Sequence, residues 1–500
     1  LKPGTDVAVA NGILNVLITE NLIDQAFIDS RTNDWEATRA AALNYPPDVA
    51  SEISGVPAEK IIQAARLYGR AKTGMIMHAR GIEHHSNGTE NVLSYINIAL
   101  ATGKIGSEGR GYGTITGQGN GQGGREHGQK ADQLPGYRSM LNPEHRKYIA
   151  EVWGIDESEL PEAGVSAVEL FNKMREGEIK GLLSICSNMM VSLPDTNKVR
   201  ESLEGLEFNV CIDFFMSESA RYADVVLPGT TWSEDEGTTT SGEGRVIKIN
   251  QAIDPPGEAR HDWRTLQEIA RRMGRGKYFQ FESPREIFDE LRVASKGGKA
   301  DYFGITYEKI DKQDGVFWPC PTEESKGTPR LFEERFAHDD GKAKFHAIEY
   351  KGAAEKPDDE YPLIFTSGRI VHQYLSGNQT RRIGFLVQQC PEPFVEIHPE
   401  TAMKYKINDG ERVKVISRRG EGIFPALVVK TIRPDTIFIP YHWGEELAAN
   451  QITNAALDPT SKIPEYKACA ARLEKIHTRE LPILGEVRKG TSLNEVQKGK

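Results

Sequence analysis

The hydrophobic positions in the first part of the chain repeat at the spacing of an α-helix. One face of a helical wheel collects the apolar residues Val9, Ile13, Leu14, Leu17 and Ile18. The segment PAEKIIQAARLYGRA, which begins at residue 57, predicts a second amphipathic helix. We therefore expect the first part of the chain to be helical.

Short apolar runs alternate with helical segments between residues 165 and 230. The runs GLLSIC, FNVCID and DVVLP have the length and composition of buried strands, and amphipathic helical patterns precede and separate them. Strands that alternate with helices in this way form parallel sheets. The pattern predicts an α/β fold with a doubly wound, Rossmann-like sheet.

The pattern changes to β after Tyr361. Turns separate five short runs with strand character: YPLIFTSG, FVEIHP, ERVKVISRRG, EGIFPALVVK and DTIFIPYHW. Strands of this length and spacing predict a β-barrel in a separate C-terminal domain. The segment 301–358, rich in proline, glycine and charge, is predicted to be the linker before it.

Residues 106–140 show no apolar periodicity, and nine glycines lie between Gly106 and Gly124. A loop of this length in a compact domain is usually functional or disordered. Within it, GNGQGG matches G-x-G-x-x-G, but the buried strand before it and the helix after it that a dinucleotide fingerprint needs are not evident. We interpret the segment as a loop whose backbone approaches a ligand closely, with a flexible surface loop as the alternative.

Composition limits the function classes. The 500 residues carry a formal charge of −10, with 38% hydrophobic and 27% charged residues, which is ordinary for a folded protein of several domains. No apolar run approaches the ~18 residues of a membrane span. The acidic balance argues against nucleic acid as the main partner, because phosphate binding needs a basic face.

Five cysteines are spread along the chain without a C-x-x-C pair. Neither a zinc knuckle nor an iron–sulfur cluster can be assigned on this spacing, and a disulfide framework is not expected at this density. A cytoplasmic location fits best. Because the chain starts at Leu1 and runs at once into a helical pattern, we expect it to be the C-terminal portion of a longer protein.

Polar side chains follow two of the predicted strands. Ser187 and Asn188 come just after GLLSIC, and Asp213 ends FNVCID. Ligands of doubly wound sheets sit at the carboxyl ends of the strands, where an acidic residue can hold a ribose or a base. Each of these residues is equally explained as a helix N-cap or turn residue.

The segment SGRIVHQYLSGNQTRR is a candidate anion site after a strand. It combines small polar residues with cations: Ser367, Arg369, His372, Gln373 and Ser376. Arginine pairs bidentately with phosphate oxygens, and a basic surface loop is the alternative. Elsewhere, His84 and His85 are candidate metal ligands, but adjacent side chains seldom point to the same place, so we interpret them as polar or pocket histidines.

Three blocks of the chain resemble the molybdopterin oxidoreductase family that binds a bis-molybdopterin guanine dinucleotide. GTENVLSYINIALATGKIGSEGRGYGTITGQGNGQGGREHG resembles its active-site loop, DVVLPGTTWSEDEGTTTSGEGRV resembles a family signature, and residues 361–471 resemble its dinucleotide-binding barrel. The resemblance implies part of a discontinuous α/β domain (1–75), an α/β cofactor-binding domain (76–300), a double-psi-type barrel (359–480) and a tail (481–500).

The family pattern also includes parts that this chain does not contain. Family members begin with a cysteine-ligated 4Fe-4S domain, followed by the residue that ligates molybdenum, and neither is found here. The resemblance therefore implies a 4Fe-4S cluster only in a missing N-terminal part, and an electron-donor protein or subunit that supplies electrons to it. It implies no metal ligand from this chain, and tungsten is an alternative to molybdenum.

The Gly-rich loop bears on the substrate. Family nitrate reductases carry TGQ…REVG, and TGQGNGQGGREHG puts Arg125 at the anion-facing position, with His127 as a neighbouring donor. A guanidinium fork suits planar nitrate. Family formate dehydrogenases instead have an arginine directly before GQ, where this chain has Thr116, although the later LPGYR is formate-dehydrogenase-like.

The resemblance thus favours reduction of nitrate to nitrite by oxygen-atom transfer. Formate oxidation on the same scaffold is the alternative. A non-catalytic cofactor-binding chain is a third reading, if the product is truly 500 residues long.

Carried over residue by residue, the resemblance also implies cofactor contacts. In the α/β part these are Arg80, His84, Ser187, Asn188, Asp213, Asp235 and Asp262, the last matching a guanine-binding residue. In the barrel region they are Ser367, Gly368, Arg369, His372, Gln373, Tyr374, Ser376, His442, Trp443, Asn450 and Lys467. Arg80, His84 and Asp235 differ in type from the residues of nitrate reductases at these positions.

Overall fold

The computed structural model describes residues 1–115 and 118–476; Thr116, Gly117 and the predicted tail lie outside the described residues. The described chain divides into two compact units. The first consists of Leu1–Glu355 and Asn454–Ala468, and the second of Lys356–Thr453 with the segment from Cys469 onward. No helix in the described part is long and apolar enough to cross a bilayer.

The first seventy residues are largely helical, as the periodicity predicts. The helices are α1 (Asp6–Thr19), α2 (Gln25–Arg31), α3 (Trp35–Leu43), α4 (Pro47–Ser54) and α5 (Ala58–Arg70). α1 packs against α3, α4 and α5, so that Leu14 and Leu17 have no exposed surface. Burying each such side chain contributes about 1.5–3 kcal/mol.

A short parallel sheet follows the helices. β2 (Gly74–His78) pairs with β3 (Arg110–Thr114), with His78 opposite Thr114. α6 (Arg80–Glu83) and α7 (Gly88–Ala101) lie between these strands in the sequence. Because the strands are parallel, the loops that follow them start at the same edge of the sheet.

The Gly-rich segment 106–140 is more regular than its composition predicts. Besides β3 it contains α8 (Gly121–Glu126), β4 (Gln133–Leu134) and β5 (Arg138–Ser139). α8 begins inside the GNGQGG motif, and close packing selects glycine there: a Cβ at Gly123 would lie 2.1 Å from the Asn120 side-chain oxygen. These elements are too short to show an apolar period, which is why the pattern missed them.

The three runs predicted as strands between residues 165 and 230 form one parallel sheet. Its strands, in spatial order, are β6 (Gly181–Ile185), β7 (Phe208–Asp213) and β8 (Val225–Pro228). The helices of this region are α9 (Pro143–Trp153), α10 (Ala167–Arg175), α11 (Met189–Ser192) and α12 (Thr196–Glu204). Ile185 pairs with Ile212 and Asp213 with Pro228, so the carboxyl ends of the strands lie at one edge.

An antiparallel sheet forms another part of the first unit. Its order is β11 (Val316–Phe317), β10 (Arg245–Ile249) and β9 (Gly237–Thr240). Nearby elements in the sequence are α13 (Asp262–Arg272), α14 (Pro284–Ser295) and α15 (Tyr307–Gln313), and the pair β1 (Thr32–Asn33) and β12 (Ala343–Lys344) is parallel.

The segment 301–358, predicted to be a linker, takes part in the core of the first unit. Tyr302, Ile305, Ile310 and Cys320 are buried in one cluster with Phe288. Its proline, glycine and charged residues suggested an exposed connection, but enough apolar side chains lie between them to pack against the antiparallel sheet.

The segment 454–468 returns to the first unit through a buried carboxylate. Glu465 has no exposed surface and accepts hydrogen bonds from Asn454 Nδ2 at 3.1 Å and from the backbone N–H of Ala354 at 3.0 Å. Its carboxylate lies 3.8 Å from the imidazole of His85, which is itself 3.9 Å from Asp6. His85 is therefore held between two carboxylates.

A second carboxylate of this segment caps a distant helix. Asp458, which is 1% exposed, accepts hydrogen bonds from the backbone N–H of Thr89 at 3.0 Å and from its hydroxyl at 2.8 Å. Thr89 lies in the first turn of α7, whose preceding residue Asn87 makes no side-chain cap. Asp458 thus satisfies an end N–H of α7 from 369 positions away in the sequence.

The second unit is built on a closed barrel of six strands, which confirms the barrel prediction. The strands are β13 (Leu363–Gly368), β14 (Val395–Ile397), β15 (Arg412–Ser417), β16 (Glu421–Val428), β17 (Thr436–Pro440) and β18 (Cys469–Lys475). α16 (Gly384–Gln389) and α17 (Pro399–Tyr405) lie between strands in the sequence. The order around the barrel is β13-β17-β14-β16-β15-β18. The five predicted runs form β13–β17, and β18 closes the barrel between β13 and β15.

We expect Asp458→Ala to destabilise the first unit by about 1–2 kcal/mol, because it removes a helix cap and its charge-assisted hydrogen bonds. Hydrogen exchange of the amides in the first turn of α7, together with the midpoint of thermal unfolding, measures this loss. Asp359→Ala, at an exposed position, is the matched control. Equal protection of α7 in both variants would contradict the cap.

Candidate functional site

Three acidic side chains gather near the carboxyl edge of the β6–β7–β8 sheet. Asp213 is the last residue of β7, Asp262 is the first residue of α13, and Asp235 follows β8. Burial is the main cause that raises the pKa of Asp262, and the negative charges of Asp235 and Asp213 raise it further. An acidic cluster of this kind is stabilised by a ligand that offers hydrogen-bond donors.

Two of the predicted contact residues already have partners within the protein. Asp213 accepts from the backbone N–H of Phe214 at 2.8 Å and from the hydroxyl of Ser217 at 2.9 Å. Asn188 donates to Glu218 at 2.7 Å and accepts from the hydroxyl of Ser219 at 3.0 Å. Both side chains shape the loop after β7, whereas Ser187 is exposed.

Asp262 is different, because one of its oxygens is buried without a hydrogen-bond partner. Its Oδ1 is the unpartnered atom, while Oδ2 accepts from Cys186 Sγ at 3.6 Å. A Cβ at Gly229 would lie 2.6 Å from Oδ1, so a side chain at this position would clash with the oxygen. A carboxylate in this state suits a planar heterocycle with two adjacent N–H donors.

Asp235 is held by two side chains of the same region. Its Oδ1 lies 2.9 Å from His261 Nδ1, and its Oδ2 accepts from Thr230 Oγ1 at 3.3 Å. His261 immediately precedes α13. Asp235 therefore fixes the start of the helix that carries Asp262.

A second group of predicted residues follows β2. Glu83 bonds both the guanidinium of Arg80 and, at 3.1 Å, the Nδ1 of His78, while His78 Nε2 lies 2.9 Å from Thr114 Oγ1. Burial raises the pKa of Glu83, but the hydrogen bond to His78 and the charge of Arg80 outweigh it and lower the pKa to about 2. The ionised Glu83 orients Arg80 at the shared edge of β2 and β3.

His84 and Lys467 belong to the same part of the first unit. The backbone N–H of Lys467 donates to the carbonyl of His84 at 3.2 Å. The ring of His84 lies 5.0 Å from that of Tyr466. Through the returning segment the structure thus brings Lys467 next to His84, which is bonded through its backbone to Arg80, although Lys467 is distant from both in the sequence.

The Gly-rich segment holds Arg125 and His127 at the end of α8. Arg125 is half-buried, and its Nη2 donates to Gln122 Oε1 at 2.6 Å. His127 has a buried Nε2 without a partner, and its ring meets Tyr302 edge-on at 5.4 Å. Burial lowers the pKa of His127 to about 4, so its imidazole is neutral around pH 7.

The sequence reasoning missed Glu126, which lies between these two residues and is only 1% exposed. Its carboxylate bonds the hydroxyl of Tyr302. The only signal in the sequence is a carboxylate directly next to the candidate anion-binding arginine. Its burial, and its partner 176 positions away, could come only from the fold.

In the second unit, the predicted residues line the loop after β13. His442, which has no exposed surface, holds this loop: its Nε2 accepts from the backbone N–H of Ile370 at 3.0 Å, and its Nδ1–H donates to the carbonyl of Leu375 at 2.5 Å. These two bonds fix the tautomer of the ring. Burial lowers the pKa of His442 to about 4.

The remaining predicted residues of the second unit lie in two segments, one after β13 and one after β17. The loop itself and the end of β13 carry Ser367, Gly368, Arg369, His372, Gln373, Tyr374 and Ser376. Trp443 and Asn450 are buried after β17. Gln373 accepts from Thr380 Oγ1 at 2.6 Å, and the backbone N–H of Tyr374 donates to the same oxygen at 3.1 Å. The loop is thus ordered by its own bonds.

Across residues 1–115 and 118–476, no three His, Cys, Asp or Glu side chains form a group that could hold a metal ion. The first unit instead has a carboxylate with an unpartnered oxygen at one sheet edge. The second unit has a loop that carries Arg369 at the end of a barrel strand. Each unit thus presents, by itself, polar groups that a ligand can engage.

Two regions of the chain match known protein families. Residues 1–272 match the molybdopterin oxidoreductase family, and residues 363–470 match the molybdopterin dinucleotide binding domain. Among solved structures, acetylene hydratase from Pelobacter acetylenicus superimposes with a TM-score of 0.72 at 20% sequence identity, covering 95% of this chain and 70% of that one. This likeness concerns the fold.

Curated relatives are similar over nearly the whole chain. The assimilatory nitrate reductase catalytic subunit of Bacillus subtilis (strain 168) is 47% identical over 475 residues, covering 95% of this chain and 67% of the relative. The F420-dependent formate dehydrogenase 1 subunit alpha of Methanococcus maripaludis is 41% identical over 478 residues, covering 95% and 69%. The chain thus spans about two thirds of the length of these relatives.

We expect the stability of the second unit to fall as the pH drops from about 6.5 to about 4, because the buried His442 stays neutral in the folded state and is protonated in the unfolded chain. His442→Phe should lower the free energy of unfolding at pH 7 by about 2–3 kcal/mol, since two backbone groups lose their partner. It should also flatten the pH dependence in this window. Chemical denaturation at several pH values measures both effects, with the exposed His338→Phe as control; an unchanged slope in His442→Phe would refute the assignment.

Proposed function

Because the chain belongs to the molybdopterin oxidoreductase family, we propose that it forms part of the catalytic subunit of a molybdenum enzyme that reduces nitrate to nitrite. The cofactor of this reaction is a bis-molybdopterin guanine dinucleotide, which supplies two-electron oxygen-atom transfer when bound. The residues of the chain bind and orient it and the substrate. Tungsten is the alternative metal.

The cofactor assignment is supported by the donor set at the edge of the β6–β7–β8 sheet. Guanine presents its N1–H and 2-amino group side by side, and the buried, unpartnered Oδ1 of Asp262 is an acceptor suited to such a pair. Gly229 packs directly against this oxygen, where a side chain would clash with it. Asp213, Asn188 and Ser187 would shape the surrounding loops, in a sheet that we propose to be of the doubly wound, Rossmann-like type.

The barrel supports the same assignment in its own way. Arg369 and His372 follow β13, in a loop that His442 holds by two backbone hydrogen bonds. Guanidinium and imidazole groups suit the pyrophosphate of a dinucleotide. We propose that the barrel is of the double-psi type and that this loop, with Ser367, Gln373 and Ser376, contacts the cofactor.

The observation that carries the choice of substrate is the half-buried Arg125 at the end of α8. Its guanidinium is held by Gln122 at 2.6 Å and also interacts with the hydroxyl of Tyr137. A planar fork of N–H donors matches the planar oxygens of nitrate. Reduction of nitrate to nitrite and water consumes two electrons and two protons. The imidazole of His127 beside Arg125 is neutral, so it can donate a hydrogen bond within this segment, and the protons would come from solvent.

Formate oxidation is the second candidate. It is favoured by the 41% identity to a formate dehydrogenase subunit and by the LPGYR segment. Formate is also a planar anion, so Arg125 would bind it by the same fork. The two reactions differ in what the cofactor exchanges, an oxygen atom for nitrate and a hydride equivalent for formate.

Electrons would reach the cofactor from a donor protein or subunit through a 4Fe-4S cluster outside this chain. We propose a cytoplasmic location, in keeping with an assimilatory role. The substrate is a small anion in either candidate reaction.

We expect Arg125→Ala in the full-length enzyme to lower kcat/KM for nitrate about 10- to 100-fold, mainly through KM, because a charge-assisted hydrogen bond to the anion contributes about 1.5–3 kcal/mol. Steady-state assays with a reduced dye as electron donor, run in parallel with formate and an oxidised dye, measure both activities. Metal analysis of the same sample identifies molybdenum or tungsten.

Lys130→Ala is the control, because it removes a cation from the same segment at an exposed position. It should leave KM unchanged. Formate turnover without nitrate turnover in the wild-type enzyme would overturn the choice of substrate. Equal KM values for nitrate in Arg125→Ala and wild type would overturn the role of Arg125.

A further inference from the structure

Glu126 is a buried carboxyl group whose negative charge is compensated only in part, by hydrogen bonds and by the charge of Arg125. It is the last residue of α8 and is 1% exposed. Its neighbour in the sequence is Arg125, which is half-buried. Successive residues of a helix point about 100° apart, so Arg125 stays partly exposed while Glu126 is buried.

A chain of hydroxyl groups ends at this carboxyl. Glu126 Oε2 bonds the hydroxyl of Tyr302, and that hydroxyl lies 2.7 Å from Thr240 Oγ1. Tyr302 and Thr240 are 1% and 3% exposed. The other carboxyl oxygen, Oε1, is buried without a partner that meets hydrogen-bond geometry.

This chain can bond Glu126 in either protonation state without moving an atom other than hydrogen. When Glu126 is ionised, the Tyr302 hydroxyl donates to it and accepts from Thr240. When Glu126 is protonated, it donates to Tyr302, whose hydroxyl then donates to Thr240. The site is therefore built to tolerate a change of charge at this position.

Among the ionisable groups around Glu126, none of the neighbours titrates around neutral pH, whereas Glu126 itself does. These neighbours are Arg125 on its own helix, the phenols of Tyr137 and Tyr302, and the imidazole of His127. Arginine stays charged throughout, burial raises the pKa of both tyrosines, and burial lowers that of His127 to about 4. Burial raises the pKa of Glu126 to about 7, against the hydrogen bonds of Tyr302 and Thr240 that lower it.

We propose that Glu126 is a positioning residue for the anionic substrate: its protonation state sets how strongly the adjacent Arg125 attracts that anion. The inference rests on the proposed function, since it takes Arg125 to be the group that binds nitrate. A protonated Glu126 leaves the positive charge of Arg125 uncompensated. An ionised Glu126 offsets that charge and repels the incoming anion, in surroundings where little water screens the interaction.

The test is the pH dependence of KM for nitrate in the full-length holoenzyme, from about pH 6 to about pH 9. In the wild type we expect KM to rise about tenfold or more across this range, as Glu126 loses its proton. Glu126→Gln keeps a neutral partner for Tyr302, so its KM should stay near the low-pH value of the wild type over the whole range.

Tyr302→Phe is the second variant and shifts the effect in a defined direction. The Tyr302 hydroxyl stabilises the ionised carboxylate, so its loss raises the pKa of Glu126 further. The rise in KM should then begin at higher pH than in the wild type. A residue with a merely structural role would change stability or kcat without moving this midpoint.

Infrared difference spectra of the protein without substrate give an independent readout. Raising the pH should convert a carboxylic-acid carbonyl band into carboxylate bands in the wild type, and this change should be absent from Glu126→Gln. Because no substrate is present, this readout stands even if nitrate is not turned over, and in that case KM for formate serves the same comparison. Parallel KM profiles of wild type and Glu126→Gln, or identical infrared changes in both, would overturn the inference.

Discussion

Parallel pairing brings the ends of β6, β7 and β8 to one edge, and most of the candidate chemistry of the first unit depends on that geometry. Asp213 ends one strand, Gly229 follows another, and Asp262 begins a helix beside them. The same rule places the loops after β2 and β3 together, where His78 bonds Thr114. Side chains distant in the sequence thus share one surface without any long-range recognition between their own segments.

The polar groups at these edges differ in whether their atoms already have partners within the protein. Asp213 and Asn188 form hydrogen bonds within their own loop, and Glu83 pairs with Arg80 and His78. Asp262 and His127 keep buried polar atoms without partners. An unsatisfied buried atom costs more than a hydrogen bond returns, so the places where the fold tolerates such a cost are where a ligand would recover it.

The sequence predicts those parts of the fold in which apolar residues recur at the spacing of a strand or a helix. Strands β6–β8 and β13–β17 and the first helices follow from apolar periodicity. The order within 106–140 does not, because glycines that pack closely leave no hydrophobic pattern. The core role of 301–358 was hidden by its proline and charge, and the return of 454–468 was hidden because it rests on single carboxylates rather than on a periodic face.

For the candidate site, the family resemblance singled out Arg125 and Asp262, and residue type singled out the loop after β13. It could not reveal which atoms remain unpartnered, since that depends on neighbours brought in by the fold. Glu126 illustrates the difference, because a glutamate next to an arginine in the sequence suggests an exposed ion pair. Burial and a phenol 176 positions away make it a group with unusual proton affinity.

The cap that Asp458 places on α7 also has a consequence for synthesis. After Thr89 a ribosome has to add 369 more residues, the last of which is Asp458, before that helix can acquire its final hydrogen-bond acceptor. The closing strand of the barrel, β18, begins later still, at Cys469. Vectorial synthesis therefore leaves both units unfinished until these two segments have been made, and a nascent chain released before then would expose an uncapped helix and an open barrel edge to other chains.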